Sequence, residues 1–204
     1  MIIESSFEQG TEEWLAARMG SVGGTGISKI ITSPGQPSKS REKYLYEKAS
    51  QSITGKAKKI FPSYEMQWGT DHEPEARELF SFIKKVKVLE CAMIWADESK
   101  NNHVSPDGYF TEDVKSFGLE IKCPQLEAHD SYLESGSLPT AYKLQVQSSL
   151  ALTGWDTWWF MSYFPGVKPL IIPVKRDEAL IKTIKIEVRM FLNDLDKLIE
   201  RLKN

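Results

Sequence analysis

The chain has 204 residues, of which 41% are hydrophobic and 26% charged, with a formal net charge of −2. That composition excludes a disordered or low-complexity chain and supplies enough apolar surface for one domain with a substantial core. The near-neutral balance excludes a uniformly basic surface, so contact with a polyanion would need a local patch, bound metal ions or assembly into an oligomer.

Residues Met1–Gly10 lack the apolar core of a secretory signal, and no run approaches the roughly 20 apolar residues of a membrane span. The two cysteines, Cys91 and Cys123, form no metal or redox spacing and read as buried thiols in a reducing compartment. These features predict a soluble protein of the cytoplasm with no membrane contact.

Thr11–Met19 reads as a first helix, with an N-cap Thr, Glu12 and Glu13 in the first turn, and a stop at Gly20. Arg18 falls in its last turn, where the helix dipole alone would favour a cation. The small-residue run Ser21-Val-Gly-Gly-Thr25-Gly26 then leads into Ile27–Ile31, and Thr25 reads as the N-cap of that helix. Such a loop exposes backbone N–H groups suited to an anion, although it lacks the Gly-Lys-Ser/Thr of a nucleotide P-loop. Arg41–Ile53 is a helix closed by Gly55. The run Gly55-Lys-Ala-Lys-Lys59 reads as a solvated loop or as a contact for a phosphate backbone.

After Tyr64–Gly69 comes a strong helix from about Thr70 to Lys85, whose Ala76, Leu79, Phe80 and Ile83 form an apolar stripe. Glu73 and Arg77 are four apart on another face, and Glu73 reads as a first-turn carboxylate. Val86–Ile94 and the segment through His103 read as strands. Ser131–Leu138 reads as a loop, Pro139–Leu152 as a helix ending at Gly154, and Trp155–Phe164 as an aromatic strand. Leu170–Val174 is a further strand, marked as an edge by Pro173. From Asp177 to Leu202 a seam of Ile184, Val188, Phe191, Leu195, Leu198 and Leu202 predicts a long amphipathic helix, with packing on the domain's own sheet favoured over a coiled-coil partner. His72, His103 and His129 share no ligand spacing. Nothing divides the chain, so residues 1–204 read as a single mixed α/β domain.

The stretch Ser105–Pro124 carries the chemistry. Leu119, Ile121 and Cys123 alternate with Glu120 and Lys122, the period of a strand with its charged residues on one face. Asp107 lies in the tight Ser105-Pro-Asp-Gly108 turn, and Thr111–Gly118 reads as a hairpin connection. Pairing of the two strands would put Asp107 beside Glu120, with Lys122 adjacent. On the residues alone, that arrangement is either a hard-cation site or a surface ion pair.

The ordered motifs Trp14-Leu-Ala-Ala-Arg18-Met-Gly20, Trp68-Gly-x-x-x-Glu73, Ser105-Pro-Asp107-Gly, Glu120-Ile-Lys122-Cys-Pro and Gln145-Val-Gln147 together resemble the lambda exonuclease-like phage recombination nucleases. These are the YqaJ-type viral recombinases of the PD-(D/E)xK superfamily. The resemblance spans roughly Trp14 to Lys175 and implies a restriction-endonuclease-like core, a mixed central β-sheet flanked by α-helices. It implies a Mg²⁺-dependent 5′→3′ exonuclease, with Mn²⁺ as a substitute. Such an enzyme degrades one strand of duplex DNA from its end, as a homotrimer ring, and works with a single-strand annealing protein. By resemblance, Asp107, Glu120 and the carbonyl of Ile121 would ligate metal, Glu73 would flank them, and Lys122 would orient or deprotonate the attacking water. Arg18, Thr25, Ser105 and Gln145 would hold the 5′-phosphate, with Thr25 standing where the family has a Ser. Met66 would align with an apolar wedge at the point of strand separation. A restriction-type endonuclease or junction resolvase of the same superfamily, and a non-enzymatic DNA-binding module, stay open as alternatives.

Overall fold

The computed structural model describes residues 1–57 and 61–204. Lys58 and Lys59 of the basic run therefore lie outside the described residues. The fold is a mixed α/β arrangement whose strands divide between two four-stranded sheets rather than forming one central sheet. The first contains β1 (Ile2–Glu4), β2 (Val22–Gly23), β3 (Met93–Trp95) and β4 (Asn102–Val104), in the order β1-β3-β4-β2. The second runs β5 (Gly108–Glu112), β6 (Lys115–Lys122), β7 (Thr157–Ser162) and β8 (Leu170–Lys175) in sequence order. Of the two isolated bridges among the described residues, Ile31 to Pro37 and Leu89 to Tyr109, the second attaches the segment before β3 to β5. It is what remains, with β3, of the longer strand expected over Val86–Ile94.

The β5–β6 hairpin is tighter than the alternation suggested. Pairing continues to Glu112 opposite Lys115, leaving Asp113 and Val114 as the connection, with Asp113 in the left-handed region at φ 54°. β6 pairs with β7 in parallel, and this central pair carries the apolar residues Leu119 and Ile121 into one core cluster with Phe80, Phe110 and Met161. β8 is the edge strand, and Pro173, which cannot donate a ladder hydrogen bond, sits there as expected.

Helix α1 (Glu12–Ala17) is capped by Thr11, whose hydroxyl accepts from the Trp14 amide. The following loop corrects one expectation. Gly24–Gly26 forms a 3₁₀ turn, and α2 (Ile27–Ile30) takes Gly26, not Thr25, as its N-cap. Helix α3 (Arg41–Thr54) ends at Gly55 in the left-handed region.

Helix α4 (Tyr64–Lys84) starts six residues before the expected Thr70, because Ser63 caps it by accepting from the Met66 amide. Trp68 then stacks on His72, one turn on, and on Phe164. Glu73 is consequently in the third turn rather than the first, so the helix dipole does not explain it. The expected loop at Ser131–Leu138 is largely helix, α5 (Leu126–Ser135). Buried His129 pins it by bonding Ser162 through Nδ1 and the Lys168 carbonyl through Nε2. Helices α6 (Thr140–Thr153) and α7 (Glu178–Lys203) match their periodicity. The α7 seam from Ile184 to Leu198 is buried, but against α2, α3 and α6 rather than a sheet, and Leu202 is exposed. Among the described residues no helix is long and apolar enough to cross a membrane.

Candidate active site

The turn before β5 is held from three directions. The Asp107 amide donates to the Leu119 carbonyl at 3.1 Å, Arg77 Nε donates to the Asp107 carbonyl at 2.6 Å, and Gln9 Nε2 donates to the Pro106 carbonyl at 2.8 Å. Asp107 Oδ2 then accepts from the Ile121 amide at 2.6 Å, which fixes the carboxylate against β6. Glu120, 2% exposed, accepts through Oε1 from Lys122 Nζ and from Gln145 Nε2. Each carboxylate thus spends one oxygen on protein donors, and the other has no hydrogen-bond partner among the described residues.

The electrostatics follow from burial. It pushes Glu120 up to about 7, and Asp107 and Glu73 add to this while Lys122 opposes it. Asp107 is raised by burial against Lys122, the Ile121 N–H and Arg77. Glu73 rises to about 7 through burial and the nearby Asp107, although Arg77 Nη2 donates to its Oε1 at 2.5 Å. Burial alone would lower Lys122, but Glu120 and Asp107 outweigh it and hold the ammonium above its ordinary range. Lys122 is therefore firmly protonated in this arrangement. Its Nζ lies 5.4 Å over the Tyr142 ring, a further contact that favours the cation.

Hard oxygen donors crowded together and raising one another's pKa fit a divalent cation such as Mg²⁺, which takes few protein ligands and keeps several waters. Among the described residues no three His, Cys, Asp or Glu side chains gather closely enough to hold a metal by themselves. Asp107 and Glu120 would supply the side-chain ligands, with Ile121, whose amide already serves Asp107, placed to add its carbonyl.

A cavity of about 170 Å³ joins this face to the residues expected at the other end of the site. Asp107, Glu120 and Lys122 line it, and so do Arg18, Thr25, Ser105 and Gln145. Arg18 is half-buried, its guanidinium carbon 4.0 Å above the Trp14 ring, and burial lowers its pKa. Ser105 Oγ is buried without a hydrogen-bond partner among the described residues. Gln145 bonds Glu120 and so spans the two ends. Glu73 is coupled electrostatically to Asp107 but does not line the cavity, and neither does Met66, which is 54% exposed on the first turn of α4.

Three residues at the site were not assigned roles from the sequence. Gln9 and Trp14 reach across to backbone carbonyls, Gln9 to Cys91 and Pro106 and Trp14 to Ala92, and Arg77 clamps Glu73, Glu90 and Asp107. Arg77 left a local signal in its four-residue spacing from Glu73, and Trp14 one in the Trp14-Leu-Ala-Ala-Arg18 motif; Gln9 left none. A larger cavity, about 250 Å³, lies beside α7 and shares Gly24, His103 and Val104 with the first, but Asp97 is its only carboxylate.

The family model for the YqaJ-like viral recombinase domain matches residues 13–156, which include every one of these site residues except Gln9. The chain belongs to the YqaJ-like viral recombinase family. The alkaline exonuclease LHK-Exo from Laribacter hongkongensis is similar at 32% identity over 95% of this chain and 96% of its own, with a TM-score of 0.83. The same figures hold for its complex with dAMP. A phage-related exonuclease from Haemophilus somnus 129PT, 17% identical over 89% of this chain and 96% of its own (TM-score 0.68), shares the fold. No curated protein matches. Membership among these recombinases, with an exonuclease as structural neighbour across almost the full chain, supports a nuclease role in recombination.

Proposed function

We propose that this YqaJ-like recombinase is a Mg²⁺-dependent 5′→3′ exonuclease that consumes the 5′-phosphorylated strand of duplex DNA and leaves a 3′ overhang for strand annealing. The observation carrying this reading is the shared cavity, with Asp107, Glu120 and Lys122 at one end and Arg18, Thr25 and Ser105 at the other. The crystallisation of the 32% identical exonuclease with dAMP, a nucleotide bearing a 5′-phosphate, supports it.

The metal, when bound by Asp107, Glu120 and the Ile121 carbonyl, would acidify a water and neutralise the scissile phosphate. The chain's own residues do the rest. Lys122 is held as an ammonium by Glu120 and Asp107, so it orients the attacking water and stabilises developing charge; removal of its proton would require those carboxylates to be neutralised first. Glu73 sits beside Asp107 on α4 and can accept a proton near neutral pH. Gln145 ties Glu120 to α6 and spans towards the pocket. Arg18 offers a planar fork to the terminal phosphate, Ser105 and Thr25 add hydroxyls, and each cut exposes a fresh 5′-phosphate for the same pocket. Met66, exposed on α4, is assigned to strand separation.

A net charge of −2 per chain favours a closed ring, a homotrimer, over a monomer, because enclosure of duplex reduces the affinity each contact must supply. The proposed setting is the cytoplasm of a bacterial or phage-infected cell, with a single-strand annealing protein as partner and Mn²⁺ able to replace Mg²⁺. Digestion of 5′-labelled linear duplex and of covalently closed circular duplex, with and without Mg²⁺, tests the reading. Release of 5′ mononucleotides from the linear form alone is expected. Cutting of the closed circle would favour an endonuclease of the same superfamily.

A further inference from the structure

His103, at the centre of β4 and two residues before Ser105, is 1% exposed. Its ring is bonded on one side only. Nδ1 lies 2.8 Å from Ser21 Oγ, and that hydroxyl lies 2.8 Å from the Arg18 carbonyl oxygen. A carbonyl can only accept, so the single hydroxyl proton of Ser21 is committed to Arg18, and Nδ1 must be the donor to Ser21. Nε2 is then a bare lone pair. It is buried and has no partner among the described residues, a state that costs free energy unless something donates to it. Burial, with Arg18 and Lys48 nearby, lowers the His103 pKa to about 3, so the ring carries no second proton.

Gly23 shows what Nε2 faces. A Cβ on Gly23 would lie 2.9 Å from His103 Nε2 and 3.6 Å from an Nη of Arg18. The imidazole lone pair and the guanidinium therefore flank one small gap that only glycine leaves open. Arg18 has no hydrogen-bond or ion-pair partner for its side chain among the described residues; the Trp14 ring packs against it and the Tyr44 hydroxyl is nearby without bonding it. A buried acceptor without a donor looks across a gap at a half-buried donor without an acceptor.

We infer that His103 is a positioning residue: its Nε2 accepts a hydrogen bond from the Arg18 guanidinium, directly or through one water beside Gly23, and holds that guanidinium towards the 5′-terminal phosphate of the DNA. The inference rests on the assignment of Arg18 to the phosphate pocket and deepens it. Ser21 grips the backbone of Arg18 and His103 grips its side chain, so one imidazole links both ends of the residue. The guanidinium has five donors, enough to give one to His103 and keep a pair for phosphate. Ordering the long side chain before the end arrives removes a cost that binding would otherwise bear, an effect of about three- to tenfold in affinity.

The test compares His103→Asn with His103→Gln, using 5′-phosphorylated and 5′-hydroxyl duplexes of one sequence. The Asn amide can replace the Nδ1 donor to Ser21 but offers nothing at the Nε2 position; the longer Gln places a carbonyl oxygen there. His103→Asn is expected to lower the preference for the phosphorylated end about three- to tenfold, through KM rather than kcat, and His103→Gln to retain most of it. Equal retention in both variants overturns the inference. So does equal loss in both alongside a common fall in Tm, which would make His103 structural. Arg18→Ala, run in parallel, separates the two levels. If Arg18→Ala keeps the wild-type preference, the phosphate pocket is misassigned and the linkage has no role to serve. If it loses the preference while His103→Asn keeps it, the linkage alone falls.

Discussion

The two ends of the cavity are built on opposite electrostatic plans. At the β6 end every charge has a protein partner: Lys122 and Gln145 on Glu120, the Ile121 amide on Asp107, and Arg77 on Glu73 and the Asp107 carbonyl. At the α1 end the polar groups are left open: among the described residues Ser105 Oγ and His103 Nε2 have no hydrogen-bond partner, and the Arg18 guanidinium packs on the Trp14 ring without an ion pair. Buried carboxylates cannot stay ionised without cations, so that end must be compensated even when empty. The donors at the α1 end, Ser105 Oγ and the Arg18 guanidinium, are what an incoming anion completes, and pairing them with an internal acid would compete with it. The contrast gives the cavity a direction, one end suited to a cation and the reaction, the other to a phosphate terminus.

The largest effect should come from breaking the compensated end. Asp107→Asn and Glu120→Gln keep side-chain volume, so both proteins should fold with far-ultraviolet circular dichroism like that of the wild type, while nucleotide release falls below detection. Calorimetric titration with Mg²⁺ should show weakened binding in each; normal metal affinity would remove them from the ligand set.

Lys122→Ala comes next. It should lower kcat by about 10²–10⁴-fold, the worth of one positioned proton-transfer or charge-stabilising group. Near-normal turnover would mean that Lys122 serves only to neutralise Glu120.

The open end predicts a smaller and more selective loss. Arg18→Ala should cost roughly ten- to a hundredfold on phosphorylated ends, from one charge-assisted interaction, with 5′-hydroxyl duplex affected less. An equal loss on both substrates would erase the distinction between the two ends of the cavity.

The smallest effect is on stability. Glu120 and Glu73 have folded-state pKa values raised to about 7, well above the usual carboxylate range of an unfolded chain. Groups raised in this way contribute stability that is fully present below the unfolded value, near 4.5, and lost as pH rises through about 7. A cation at the site reverses that loss. Mg²⁺ should therefore raise Tm more at pH 8 than at pH 5.5, which differential scanning fluorimetry with and without chelator can measure. A Tm increment independent of pH would place metal binding away from these carboxylates.

Much of this was legible in local pattern. The alternation of Leu119, Ile121 and Cys123 with Glu120 and Lys122 appears as one core-facing and one site-facing row of β6. The cap at Thr11, the glycine stops after α3 and α6, and the amphipathic seam of α7 also hold, because they depend on residues within a turn or two of one another. Motif order carried the family.

Tertiary contacts decided the rest. Helix α4 runs through Pro74 from its Ser63 cap, with Trp68 stacked on Phe164, remote in sequence, and Glu73 lies near Asp107 in its third turn rather than in a first turn. The Ser-containing segment before Gly136 is helical because His129 finds Ser162 and the Lys168 carbonyl. The division into two sheets, and the parallel pairing of β6 with β7, depend on strands that only the complete chain brings together. The bonds that define the site join residues far apart in sequence: Gln9 to Pro106, Arg77 to Asp107, Ser21 to His103. A lone histidine before a Ser-Pro-Asp turn has no sequence signature of its own. Its neutral ring and open Nε2 arise only when burial excludes water and the Gly23 loop brings Arg18 across the gap.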